Sequence, residues 1–314
     1  MRLRRNSGST PGPVHKLRSS TTTITFHELP AWAQDNEWIV GGYRRIQNRW
    51  TGCMISVFGY LHNETGKKSD NALVNIHTHL AGALLFVYFL ATFQEVHLKQ
   101  YPTTWMDSLM LGIFLASAIF CLSISATFHT AACHSKEVSA QCLALDYSGI
   151  VFLTVGSFYP AVHFGFFCYP RVKAFYLLLL TAIGMGAAYI VLNPQYSRPT
   201  HRGARTAVFI GLGLSGVIPA LHGVLHEGLY SILVEHGVRW ILLSGALYIG
   251  GGLLYANRIP ERWAPGRFDY FFASHQIFHV CVVLAVCSHY NGVLTGLRHS
   301  YSDPDVCANA VSAI

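Results

Sequence analysis

His275 and His279 stand four residues apart in the run His275-Gln276-Ile277-Phe278-His279. On a helix that spacing stacks both imidazoles on one face. A third imidazole from a neighbouring helix completes a three-nitrogen set that suits Zn2+, with a fourth position open to water. His129 is the candidate; it closes the run Ser125-Ala126-Thr127-Phe128-His129. Asp146 follows in Leu145-Asp146-Tyr147-Ser148-Gly149. No soft sulfur accompanies these residues, and one carboxylate is too few for Ca2+. The competing reading for any single His is a hydrogen bond to a neighbouring helix. What favours metal is the i,i+4 spacing together with a shared depth, and depth depends on how the chain crosses a membrane.

The chain has 314 residues, 52% hydrophobic and only 12% charged, against roughly a quarter charged in an ordinary soluble domain. Its apolar residues form long blocks. This composition predicts an all-α integral membrane protein rather than a soluble enzyme. Seven blocks are each long enough to cross a hydrocarbon core of about 30 Å as a helix. They lie near Asn75–Phe93, Trp105–Phe128, Leu143–Phe167, Val172–Leu192, Thr206–Leu225, Val238–Ala256 and His275–Leu294. Many of their glycines read as packing sites between helices. The eight Cys contain no CxxC pair, so neither a thiolate metal site nor a particular disulfide pairing is legible.

The first seventy residues differ. Met1 to Thr23 is rich in Ser, Thr, Pro and Arg and is expected to be disordered, without the apolar core of a signal peptide. His27 to Trp38 reads as a short amphipathic helix with interfacial Trp32 and Trp38. A helical stretch follows over Ile46–Tyr60, and Gly66 to Asp70 reads as a loop. The resulting division is a tail over 1–28, a cytosolic amphipathic helical segment and loop over 29–74, a seven-helix domain over 75–294 and an extracytosolic tail over 295–314.

Lys and Arg orient the bundle. Ten lie in the N-terminal region, and Lys136, Arg198, Arg202, Arg205, Arg258, Arg262 and Arg267 follow the second, fourth and sixth spans. The other side holds only Lys99, Arg171, Lys173, Arg239 and Arg298. The N-terminus is therefore expected in the cytosol and the C-terminus outside, opposite to the G-protein-coupled receptors. The net charge of +7 then matches an anionic cytosolic leaflet and requires no nucleic acid. The Asn63-Glu64-Thr65 sequon would lie in the cytosol, beyond the reach of glycosylation.

This topology brings His129, Asp146, His275 and His279 to the cytosolic end of the second, third and last spans. An ionisable residue at a span end is expensive to keep dry and points to function. A second i,i+4 pair, His222 and His226, precedes Glu227 at the outer end of the fifth span. Only His163, His289 or His236 could join it there, so it reads as packing or a second site. His77 and His79 are i,i+2 and diverge on a helix. His134 is expected to be solvated in a loop.

The residues Tyr43-Arg44, His62-Asn63-Glu64-Thr65, Asn75-Ile76-His77-Thr78-His79-Leu80, Ser125-x-x-x-His129, Leu145-Asp146-Tyr147-Ser148-Gly149 and His275-Gln276-x-Phe278-His279 stand in this order. Together they resemble the signatures of the progestin and adipoQ receptor family, which includes adiponectin receptors, the fungal Izh proteins and bacterial hemolysin III. The resemblance covers about Leu29 to Leu294. One departure is Gly66 to Val74, which separates the Glu-Thr motif from the Asn75 run and looks like an insertion.

The resemblance implies a seven-helix bundle with a cytosolic N-terminus. It implies Zn2+ held by His129, His275 and His279, with Asp146 linked through the metal's water. It also implies a ceramide-like substrate. Zn2+ lowers the pKa of bound water to about 7 and polarises a carbonyl. Asp146 would accept the proton, and Ser125 would donate a hydrogen bond to the oxyanion or substrate. Two functions follow. One is a receptor-like protein whose zinc site hydrolyses a lipid amide in lipid, sterol and zinc homeostasis. The other is a non-catalytic sensor with structural zinc. The implied partners are membrane lipids (ceramide, sterol or fatty acid) and an unspecified extracellular ligand, at the plasma membrane or endoplasmic reticulum. A retinal protein is disfavoured because the last span holds no Lys for a Schiff base. A transporter is disfavoured because no inverted repeat is legible.

Overall fold

A segment that crosses hydrocarbon must satisfy its own backbone, so an apolar block of span length forms a helix. A computed structural model describes residues 23–59, 71–193, 201–302 and 307 of the chain. The described residues form α1 (Trp50–Gly59), α2 (Asn71–Phe93), α3 (Trp105–Ala131), α4 (Lys136–Gly165), α5 (Pro170–Leu192), α6 (Arg202–Leu214), α7 (Val217–Glu227), α8 (Val238–Asn257) and α9 (Ser274–Ser300). They contain seven apolar spans, with α6 and α7 together making the fifth. The expected disordered tail over 1–22 and the sequon at 63–65 lie outside the described residues, as do 66–70 of the insertion. Its last residues, Asn71 to Val74, form the first turn of α2.

The boundaries differ from the sequence expectation where polar residues extend an apolar helix. α4 starts at Lys136, seven residues before Leu143, because the Ser135 hydroxyl accepts from the Val138 amide at 3.4 Å and caps the helix. α9 continues to Ser300. The stretch from His27 to Trp38 does not form the expected amphipathic helix; it makes two 3-10 turns, Phe26–Glu28 and Ala31–Ala33. Pro30 lies between the turns and limits continuation, since it lacks the amide a helix requires.

α3 and α9 are the most buried spans, and α4, α6–α7 and α8 the least. The main core joins α2, α3, α4 and α9 through Phe86, Phe114, Leu115, Leu122, Leu153 and Val286. α3 and α4 pack closely because Gly149 presents no side chain: a Cβ there would lie 3.1 Å from the Cys121 Cα. At the far end, Asp107 accepts from His163 Nε2 at 2.8 Å and from the Tyr301 hydroxyl at 2.9 Å. The Cys168–Cys307 disulfide closes the same end; the sequence had left that pairing open.

Candidate metal centre

Each element that carries a candidate ligand is held at its end by a specific contact. α3 ends two residues after His129. The buried Arg44 guanidinium donates to the carbonyl oxygen of His129 and, at 3.3 Å, to that of Thr130. A cation on the last carbonyls of a helix is favourable through both hydrogen bonding and the helix dipole. α9 begins at Ser274, immediately before His275. Its first amide donates to Glu261 Oε2 at 2.7 Å, and the Ser274 hydroxyl donates to Glu261 Oε1. Glu261 is wholly buried and also receives Asn36 Nδ2 at 3.1 Å. An anion at the N-terminus of a helix is favoured by the same dipole.

The N-terminal segment lies across this end of the bundle. The Asp269 carboxylate accepts from the amides of Val40 and Gly41, each at 2.9 Å. The Gln47 and Asn48 amides donate to the carbonyls of Cys133 and His134 at 2.7 and 3.1 Å. Asp35, half exposed, receives the guanidinium groups of both Arg202 and Arg258. Burial pushes its carboxyl up, but the two cations outweigh this and hold it at about 2.

Inside this frame His129, His275 and His279 converge. One ring nitrogen from each lies within 4.8 Å of the other two. The ring centroids of His129 stand 4.9 Å from His275 and 4.7 Å from His279. His129 and His279 are buried, and His275 is half-buried. His279 Nδ1 lies 3.2 Å from the Asn75 carbonyl oxygen. A carbonyl only accepts, so Nδ1 carries the proton and the Nε2 lone pair is free for a metal. That Nε2 faces His129 Nε2 at 3.1 Å. Three imidazoles so placed fit an ion of the Zn2+ class by donor chemistry.

The carboxylate and hydroxyl join the same end. Gly149 meets Cys121 and Gly156 meets Ser117 across the α3–α4 contact. In that antiparallel register Asp146 falls beside Ser125. Ser125 is buried one helical turn before His129.

The other histidines sort differently from their sequence spacing. His77 donates from Nδ1 to the Leu73 carbonyl at 2.8 Å. His79 turns inward instead and stacks on His279 with centroids 3.7 Å apart. Sequence reasoning passed over His79 because it treated His77 and His79 only as a pair; the Asn75–His79 spacing on one face was the available signal. His222 hydrogen-bonds the Tyr176 hydroxyl at 2.9 Å, and His226 packs edge-on against Tyr169. They behave as packing residues. His134 is packed against Trp50 rather than standing free in solvent.

Comparison with known proteins agrees with the seven-span fold. The family model described as Haemolysin-III related matches residues 67–290. The chain is 38% identical over 274 residues to the progestin and adipoQ receptor-like protein 1 of Caenorhabditis elegans, covering 86% of this chain and 60% of that protein. It is 39% identical over 268 residues to the adiponectin receptor protein of Drosophila melanogaster, covering 85% and 58%. With the ADIPOR-like receptor IZH2 of Saccharomyces cerevisiae it shares 32% identity over 289 residues, covering 92% and 88%. The chain therefore spans about 60% of the length of the nematode and fly relatives and most of the yeast one.

Proposed function

Because the chain belongs to the haemolysin-III related family of seven-helix, adiponectin-receptor-like membrane proteins, we propose that it is a receptor-like protein with an intramembrane zinc site that hydrolyses a lipid amide. The observation that carries the proposal is the convergence of His129, His275 and His279 nitrogens within 4.8 Å, with Asp146 brought to the same end beside Ser125 by the close α3–α4 packing.

Zinc bound there would polarise an amide carbonyl and acidify a water. Asp146 takes up the water's proton at a carboxylate oxygen and passes it to the leaving amine. Ser125, beside that carboxylate, would orient it through its hydroxyl. His279 keeps its liganding nitrogen unprotonated by committing Nδ1–H to the Asn75 carbonyl. α4 carries exposed Leu145 and Phe152 on its outer surface, so lipid contacts the helix that bears Asp146. A ceramide-like amide is the substrate class that combines two acyl-length chains with a polar scissile group at that depth.

Two features support a cytosolic position for this end. Lys and Arg cluster on it. The Cys168–Cys307 disulfide lies at the opposite end, where an oxidising compartment is required.

The test is zinc content and ceramide hydrolysis measured on the same purified full-length protein. The parent is expected to hold zinc and release fatty acid, and D146N to keep zinc while losing turnover. If D146N retains zinc and hydrolyses as fast as the parent, the catalytic reading is wrong. If the parent holds zinc and hydrolyses nothing, the site joins α3 to α9 as a structural element of a sensor.

A further inference from the structure

At the other end of the bundle a second donor group assembles from residues far apart in the chain. Glu227 is the last residue of α7. A single π-type turn, Ser231–Glu235, leads to His236. Gly228 and Gly237 bracket the turn with φ of +85° and +76°, a left-handed backbone that favours glycine. The reversal sets Glu227 Oε2 2.6 Å from His236 Nε2. His299, in the last turn of α9, packs its ring 4.3 Å from that of His236. One donor atom from each of the three lies within 4.8 Å of the others.

We propose that Glu227, His236 and His299 form a second divalent-metal site, of the Zn2+ class and distinct from the histidine site at the opposite end. His275 and His299 stand at the two ends of one helix, about 36 Å apart at 1.5 Å per residue. A simple ion pair accounts for Glu227 with one nitrogen of His236. It does not account for a second imidazole against the first, or for His236 Nδ1, which is buried without a hydrogen-bond partner. Two neutral imidazoles and one carboxylate are the donor set of open zinc sites, and imidazole disfavours Ca2+ and Mg2+. Glu235 adds negative charge beside His299. Glu227 also borders a cavity of about 260 Å³ shared with His222 and His226, so solvent can supply a further ligand. An ion bound here ties the end of α7 and the following turn to α9.

Co2+ is the probe, titrated into the purified, metal-stripped full chain while its ligand-field absorption is followed. The parent is expected to bind two equivalents. H299A and E227Q are each expected to lose one, with affinity at this end reduced at least about 100-fold. H279A is expected to lose the other and to retain a cobalt-dependent rise in thermal stability. E227Q keeps the size and hydrogen-bonding capacity of the side chain, which separates lost coordination from lost folding. The proposal is overturned if H299A and E227Q bind cobalt with the parent's stoichiometry and affinity. A parent that binds one equivalent, lost in H279A and kept in H299A, also overturns it and leaves the first site intact. If one equivalent is bound, kept in H279A and lost in H299A, the second site stands and the first fails.

Discussion

The Nε2 atoms of His129 and His279 face each other at 3.1 Å across the α3–α9 contact, although 150 residues separate them in the chain. Two neutral imidazoles can share only one proton there, whereas a metal ion uses both lone pairs. H129A, H275A and H279A are each expected to lose the zinc held at this end, read by metal analysis of the purified proteins. An H129A protein that retains this zinc would remove the assignment.

Asp146 and Ser125 are expected to separate chemistry from metal binding. D146N should keep the metal and lower lipid-amide turnover by about 10²–10⁴-fold, the usual range for a lost general base. S125A removes a hydroxyl beside the carboxylate but not the base itself, so a smaller loss, on the order of 10-fold, is expected. Steady-state hydrolysis by both variants checks the order of the two effects.

Glu261 is wholly buried and accepts from the Ser274 amide, the Ser274 hydroxyl and Asn36. Truncation to Ala leaves those donors unsatisfied and should destabilise the protein by about 2–3 kcal/mol. The loss should exceed that of E261Q, which keeps the shape. Because Ser274 precedes His275, zinc affinity should fall alongside stability. Thermal unfolding in detergent and competitive metal titration read the two quantities.

Asp35 links the N-terminal segment to Arg202 and Arg258. Its carboxyl is held at about 2, below its ordinary 3.8. The folded form therefore binds its proton less readily than the unfolded chain. Its contribution is fully present above the unfolded value and disappears as pH falls through the folded one. Half exposure and salt screening keep it to about 1 kcal/mol or less. The stability difference between parent and D35N should be constant above about pH 5 and shrink between about pH 4 and 2. A difference that grows on acidification would contradict the pairing.

A Cβ at Gly149 would lie 3.1 Å from backbone Cα of Cys121, where little can yield. G149V should separate α3 from α4, cost about 1–3 kcal/mol, and move Asp146 away from Ser125. Activity should fall more than zinc content, because the three imidazoles belong to α3 and α9. Equal loss of both would show that the α3–α4 contact also shapes the metal centre.

Spacing and composition were enough for the seven spans, for the face shared by His275 and His279, and for the common end of His129 and Asp146. Helical period and membrane thickness are local or bulk constraints, and both are written in the order of residues. Residue order could not say that His79, rather than His77, turns inward onto His279. It could not show that Pro30 interrupts the amphipathic stretch in favour of clasps by Asp269 and Glu261, or that Cys168 finds Cys307. The same limit explains why the His222–His226 pair drew attention while Glu227, His236 and His299 came together. An i,i+4 rule sees neighbours on one helix; a donor set drawn from α7, a turn and α9 exists only once left-handed glycines reverse the chain and distant helices pack. Those contacts depend on packing at high sequence separation, which no local period encodes.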